Sequence, residues 1–275
     1  MMPLGNRTII FMHLPKTGGG TFSRVIKSQY PRNHIYLYSK THRTAMVAFD
    51  ALPDEEKRRY RVIHGHMDFG LHERLPQPTT YITILREPIS RMISFYDFVR
   101  QRKAHGKHEL LKDATFADIV NRRAVSDNQL TRRLAGIPGE QDTHVPVDDA
   151  VLQQAKDNLE RHFSIVGLTS RFDESLILAK RELGWRLPLY YRTNTAIKKT
   201  DRNTLDDAAM QQVRDYFAYD IALYDWAAAR FDAHITTLGE EFQREVNRFQ
   251  MINYMYEQPF NVARRIVRWS KGKRI

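Results

Sequence analysis

Ile10-Phe11-Met12-His13-Leu14-Pro15-Lys16-Thr17-Gly18-Gly19-Gly20-Thr21-Phe22 carries an apolar strand straight into a glycine-rich loop that opens a helix. Three consecutive glycines let the backbone turn tightly and bring its N–H groups against an oxyanion, and the helix that follows adds the positive end of its dipole. Lys16 and Thr17 put a cation and a hydroxyl at the same place. The stretch therefore reads as an anion cradle suited to phosphate. In the loop that holds nucleoside triphosphates the lysine follows the glycines, as G-x-x-x-x-G-K-[ST]. Here Lys16 precedes them, so that fingerprint is not matched.

Further along, Tyr81-Ile82-Thr83-Ile84-Leu85 is an apolar, β-branched run with the character of a buried parallel strand. It stops at Arg86-Glu87-Pro88, and proline at the first helical position suits a helix running from about Ile89 to Arg102. Arg86, Ser90, Arg91 and Ser94 gather near one end of that helix, while Ile89, Met92, Ile93, Phe95 and Tyr96 supply apolar faces. Between the two segments stands Val62-Ile63-His64-Gly65-His66-Met67-Asp68-Phe69-Gly70, a short strand and a turn. On an extended strand His64 and His66 leave the same face, so a metal pair is conceivable; without a further ligand set the expectation is that no metal is bound.

Pro-Lys-Thr-Gly-Gly after a strand resembles the 5′-phosphosulfate loop of sulfotransferases that use 3′-phosphoadenosine 5′-phosphosulfate as donor. Leu85-Arg86-Glu87-Pro88 followed by Ser90-Arg91 and Ser94 resembles their 3′-phosphate element, and His64-Gly65-His66 resembles the catalytic segment of the uronyl and heparan 2-O-sulfotransferases. Asp127 to Thr131, Val166 to Leu176 and Arg192-Thr193-Asn194 look like later blocks of bacterial members of this carbohydrate-type family. The likeness covers about residues 7 to 200. It implies that Lys16, Thr17, Gly18, Gly19, Gly20 and Thr21 hold the 5′-phosphate and that Arg86 with Ser94 holds the 3′-phosphate. It further implies that Lys16 stabilises charge on the departing oxygen and that His66, an imidazole titrating near neutrality, is the general base. Glu87 is the alternative base, although directly before Pro88 it suits capping the helix or pairing with Arg91. Gly20 stands where family members usually carry Thr or Ser, leaving Thr21 or backbone N–H groups to compensate. Arg171, Arg192 and Asn194 are loop residues that suit adenine, phosphate or acceptor, with plain surface solvation as the alternative.

The 275 residues are 42% hydrophobic, enough for a full core. Strands are expected at about 7–13, 34–39, 60–65, 80–85 and 163–168, and helices at about 20–29, 43–51, 89–102 and 148–161. That alternation points to an α/β, P-loop-like three-layer fold: a central parallel sheet, helices on both faces and a helical C-terminal extension. The expected division is a sulfotransferase domain over 1–235, with 103–147 as an insertion contributing to the acceptor cleft, and a basic helical extension over 236–275.

A net charge of +11 favours an anionic partner, of which the donor is one. No zinc finger, basic-region heptad or aromatic RNA-binding signature appears, which argues against nucleic acid. Arg264, Arg265, Arg268, Lys271, Lys273 and Arg274, with apolar residues between them, form a basic amphipathic tail that either is solvated or lies on an anionic membrane or polysaccharide. No cysteine, no long apolar run and no hydrophobic leader set the expectation of a cytoplasmic, bacterial protein, at most peripheral to a membrane. The expected reaction is sulfuryl transfer to a hydroxyl of a glycan, glycolipid or other polyol. A small-molecule kinase and a non-catalytic anion- or membrane-binding protein are the alternatives.

Overall fold

β-Branched and aromatic runs set between turns give five strands: β1 (Thr8–Met12), β2 (Ile35–Leu37), β3 (Val62–Gly65), β4 (Thr79–Leu85) and β5 (Phe163–Leu168). A computed structural model of the chain describes residues 7–38, 43–137, 145–192 and 207–270, and the side chains of 43–45 and 263–270 are left aside. All the pairings are parallel, in the order β2-β3-β1-β4-β5. β1 is central, with Phe11 level with His64 of β3 on one side and with Ile82 of β4 on the other. The loops leaving β1, β3 and β4 therefore open side by side at one edge of the sheet. In an open parallel sheet that is where ligands bind.

The helices follow in chain order: α1 (Gly19–Gln29), α2 (Arg43–Asp50), α3 (Asp54–Lys57), α4 (Pro88–Arg100), α5 (His108–Leu111) and α6 (Asp118–Asn121). After them come α7 (Gln129–Ala135), α8 (Asp149–His162), α9 (Phe172–Leu183), α10 (Asp207–Tyr216) and α11 (Ala218–Ser270). Right-handed crossovers send the β1-to-β2 connection over one face and the connections running the other way over the opposite face. α1 begins where Gly18 takes φ 84°, a left-handed conformation that glycine adopts without penalty. α4 begins at Pro88, and the Glu87 carboxylate caps it by accepting the N–H groups of Ile89 and Ser90 at 3.0 and 2.8 Å.

The main core lies on the sheet, from Ile10, Phe11 and Met12 through Tyr81, Ile82 and Ile84 to Phe242, Val246 and Phe249 of α11. The expected boundary between 235 and 236 falls within α11, just before Gly239, whose φ of 67° breaks the helix. A second core gathers Met92, Tyr96 and Val99 of α4, Leu111 and Ile119 of the 103–147 segment, and Val213 and Phe217. No described helix is long and apolar enough to cross a membrane.

One buried polar knot holds the two cores together. Asn128 Oδ1 accepts the N–H groups of Tyr219 and Asp220 at 3.0 and 3.1 Å, capping the first turn of α11. Asp220 returns the arrangement to α7, accepting the N–H groups of Leu130 and Thr131 at 3.1 and 2.8 Å and the Thr131 hydroxyl at 2.9 Å. Arg91, 1% exposed, donates to Gln129 Oε1 at 3.0 Å and lies 3.6 Å from Asp220. Burial pushes the Arg91 pKa down to about 10 and the Asp220 pKa up, and their mutual attraction offsets only part of that cost.

Candidate functional site

The glycine loop is built under tension. Lys16 adopts φ 69°, a region where a side chain is costly, and its carbonyl accepts Arg86 Nη1 at 3.2 Å. Arg86 stands at the end of β4, so the guanidinium reaches across the strand ends and ties the two anion elements into one edge. Thr169, just past β5, adds a second tie: its hydroxyl lies 2.6 Å from the Thr17 carbonyl and 2.9 Å from the Leu85 carbonyl, donating to one at a time. The Thr17 side chain is turned inward, 1% exposed, with its hydroxyl donating to the Leu14 carbonyl at 2.9 Å. Its part at the cradle is thus backbone. The N–H groups of Thr21 and Phe22 bond the Gly18 carbonyl at 2.9 and 3.3 Å, starting the ladder of α1, and the amides before them have no intrahelical partner. Thr21 Oγ1 also accepts Arg24 Nη2 at 3.2 Å.

Lys16 extends its ammonium to 3.9 Å from the centre of the Phe98 ring, and the Arg102 guanidinium lies 4.2 Å from the same ring. Burial first, then Arg86 and Arg102, draw the Lys16 pKa down to about 8, with Asp97 opposing. Lys16, Arg86 and Arg102 thus bring three cations to one edge, which favours an anion there. Ser90 and Ser94 are partly exposed on α4 beside it.

On the other side of β1 the β3 loop carries histidines. His66 Nδ1 lies 2.8 Å from the His13 carbonyl. A carbonyl only accepts, so Nδ1 carries the proton and Nε2 the lone pair of the neutral ring. The His66 ring stacks on His13 at 4.4 Å between centres and 29° between planes. Burial, then His66 and His64, hold the His13 pKa at about 3. His64 is buried with neither ring nitrogen hydrogen-bonded, and burial, then Lys27 and His66, hold its pKa at about 4. Among the described residues no cluster of three or more His, Cys, Asp or Glu could hold a metal ion.

The remaining candidates separate. Glu87 is engaged as the cap of α4, and Arg91 is in the buried knot rather than paired with Glu87. Arg171 grips Glu174 through two nitrogens, at 2.6 and 2.5 Å, and also hydrogen-bonds Asp232, which joins α9 to α11. The Arg192 N–H donates to Glu257 Oε1 at 2.8 Å, again against α11. Thr193 and Asn194 lie outside the described residues, as do the side chains of Arg264, Arg265, Arg268, Lys271, Lys273 and Arg274 on which the tail reading rests. Sequence reasoning passed over Thr169, Phe98, Arg102 and His13 as members of this edge. Thr169 sits in the quoted block 166–176 and His13 in the opening stretch, so the signal was position beside a motif.

Residues 23–258 match the family model described as galactose-3-O-sulfotransferase. The chain is 26% identical over 254 residues to galactose-3-O-sulfotransferase 3 of Bos taurus, covering 84% of this chain and 58% of that protein. It is 23% identical over 279 residues to the heparin sulfate O-sulfotransferase of Drosophila melanogaster, covering 91% and 78%. A sulfotransferase structure from Alicyclobacillus acidocaldarius aligns at 14% identity and a TM-score of 0.43, over 79% of this chain and 93% of that one. The chain thus spans somewhat over half the length of the galactose-3-O-sulfotransferase relative.

Proposed function

The chain belongs to the galactose-3-O-sulfotransferase family, and from that premise we propose that it moves a sulfuryl group from 3′-phosphoadenosine 5′-phosphosulfate to a hydroxyl of a glycan, glycolipid or other polyol. The observation that carries the reading is the Arg86 guanidinium on the Lys16 carbonyl, because it makes a strained, glycine-rich anion loop and a strand-end arginine into a single edge. An adenine nucleotide with phosphates at both 5′ and 3′ positions has the charge pattern that such an edge fits. The residues fit the donor: Gly18, Gly19 and Gly20 offer amides ahead of the α1 ladder, Thr21 a hydroxyl, Lys16 a cation, and Arg86 and Ser94 a second anion subsite.

Bound there, the donor supplies the group that is transferred. The protein's share is positioning and charge, as in phosphoryl transfer. His66 Nε2 takes the acceptor hydroxyl proton, and the His13 carbonyl on Nδ1–H steadies the imidazolium that forms. Lys16, drawn from Phe98 toward the leaving phosphate oxygen, neutralises the charge developing on it. Arg86 keeps the nucleotide in line. The galactose and heparin sulfate named in the relatives' descriptions support a glycan hydroxyl as the acceptor class. The absence of cysteine from 275 residues supports adding a cytoplasmic, bacterial setting to the proposal.

The test is transfer of radiolabel from 35S-labelled donor to a panel of glycans and glycolipids. Labelled acceptor is expected from the native protein. His66→Ala is expected to lower turnover by about two to four orders of magnitude, with affinity for adenosine 3′,5′-bisphosphate changed by no more than a few fold. Label moving instead from γ-labelled ATP, or nucleotide binding with no transfer to any acceptor, contradicts the reading.

A further inference from the structure

The second glycine of the loop, Gly19, has a neighbour that phosphate binding does not require. A Cβ placed on Gly19 would stand 1.9 Å from His13 Cδ2, 2.3 Å from Nε2 and 2.9 Å from Cγ. The His13 ring therefore lies against the first turn of α1, in space that only glycine leaves open. Its opposite neighbours complete a column: Phe11 is stacked at 5.6 Å and 9°, and His66 at 4.4 Å and 29°. The backbone holds the same register, since the His13 N–H donates to the Gly65 carbonyl at 2.9 Å and the His13 carbonyl accepts from His66 Nδ1 at 2.8 Å.

Resting on the reading of His66 as the base, we propose that His13 is a positioning residue, wedged between the anion loop and His66, that fixes the ring plane and the Nδ1–H tautomer of the base against the donor loop. Gly19 is small because His13 occupies its side-chain space. Burial first, then His66 and His64, draw the His13 pKa down to about 3, which makes its ring a poor base for the acceptor's proton. Its contribution is geometric. A carboxylate commonly orients a catalytic histidine; here a backbone carbonyl and a stacked neutral ring do so, with the ring's own position set by the loop.

His13→Ala removes the stack, His13→Phe keeps an aromatic ring without the nitrogens, and Gly19→Ala pushes the ring aside. His13→Ala is expected to lower kcat about 10- to 100-fold, with KM for donor and affinity for adenosine 3′,5′-bisphosphate within about threefold. His13→Phe is expected to recover most of that loss. Gly19→Ala is expected to lower kcat similarly, and the double variant to be no worse than either single one, since without the ring there is nothing to displace. NMR of the imidazoles supplies a readout independent of turnover: His66 is the Nδ1–H tautomer in the native protein and in His13→Ala, which keeps the main-chain carbonyl, but its Nδ1 proton exchanges with solvent faster in His13→Ala, where the stacked ring no longer holds its plane. Multiplying losses in the double variant, or an unchanged exchange rate of the His66 Nδ1 proton in His13→Ala, overturns the proposal. If the native protein transfers no sulfate yet the His66 Nδ1 proton exchanges faster in His13→Ala, the reaction reading fails and the positioning role stands.

Discussion

Arg86 and Arg91 leave the same β4–α4 corner and serve opposite ends. Arg86 is partly exposed and spends one nitrogen on a strained loop carbonyl, at an edge where Lys16 and Arg102 add further positive charge. Arg91 is fully enclosed and answered by Gln129 and Asp220. In sequence both are arginines flanking one helix start. The difference is in their surroundings: Arg91 is enclosed between α7 and α11 with Asp220 as its counter-charge, whereas Arg86 stands at a strand-end edge that Lys16 and Arg102 share. A cation enclosed with its counter-charge serves the architecture, and cations gathered at a strand-end crevice are where an anionic ligand is proposed.

Substitutions that exchange the two behaviours would break that contrast. The largest effect is expected at Asp220→Ala, which strands Arg91 and opens the N-terminus of α7, at a cost of about 3–5 kcal/mol in urea unfolding. The protein that remains folded should bind adenosine 3′,5′-bisphosphate within about threefold of native. Arg86→Ala should do the reverse, weakening nucleotide binding about 10- to 100-fold by calorimetry while stability moves by about 0.5 kcal/mol or less. Loss of binding in folded Asp220→Ala, or unfolding of Arg86→Ala, would erase the distinction.

Lys16 sharpens it. Its pKa of about 8 in the folded chain lies below the ordinary 10.5, so between those values the unfolded chain holds a proton that the folded chain has released, and folding becomes more favourable as pH rises through that window. An arriving anion pulls the other way and raises the Lys16 pKa. Binding of the bisphosphate at pH 8 to 9, where its phosphates are fully ionised, should therefore take up protons, seen as a dependence of binding heat on buffer ionisation enthalpy. Affinity should fall as pH rises above about 8. Lys16→Met should show neither. Proton release would place the lysine outside the anion site. The smallest effect is expected at Thr169→Val: losing the hydroxyl between the Thr17 and Leu85 carbonyls costs about 1 kcal/mol, read as roughly fivefold weaker nucleotide binding.

The sheet was legible because its strands are contiguous runs: all five expected strands appear, with ends shifted by at most a few residues. The loop, Arg86 and His66 were legible as motifs, and strand adjacency brings their segments to one edge. Geometry that depends on distant pairs was not legible. Asn128 and Asp220 cap each other's helices from 92 positions apart, so the block Asp127 to Thr131 carried no sign of that architectural task. The inward turn of the Thr17 hydroxyl depends on the fold of a single turn, and Phe98 joins Lys16 only because α4 passes over the loop. His13 lay in plain sight between strand and loop, but its role depends on the ring of a residue on another strand's loop.

A crystal structure with adenosine 3′,5′-bisphosphate tests the central claim most directly. The expected complex places the 5′-phosphate on the N–H groups of Gly18, Gly19 and Gly20 and the Thr21 hydroxyl with Lys16 beside it, and the 3′-phosphate on Arg86 and Ser94. A nucleotide with either phosphate held elsewhere, or bound away from the ends of β1 and β4, would contradict it.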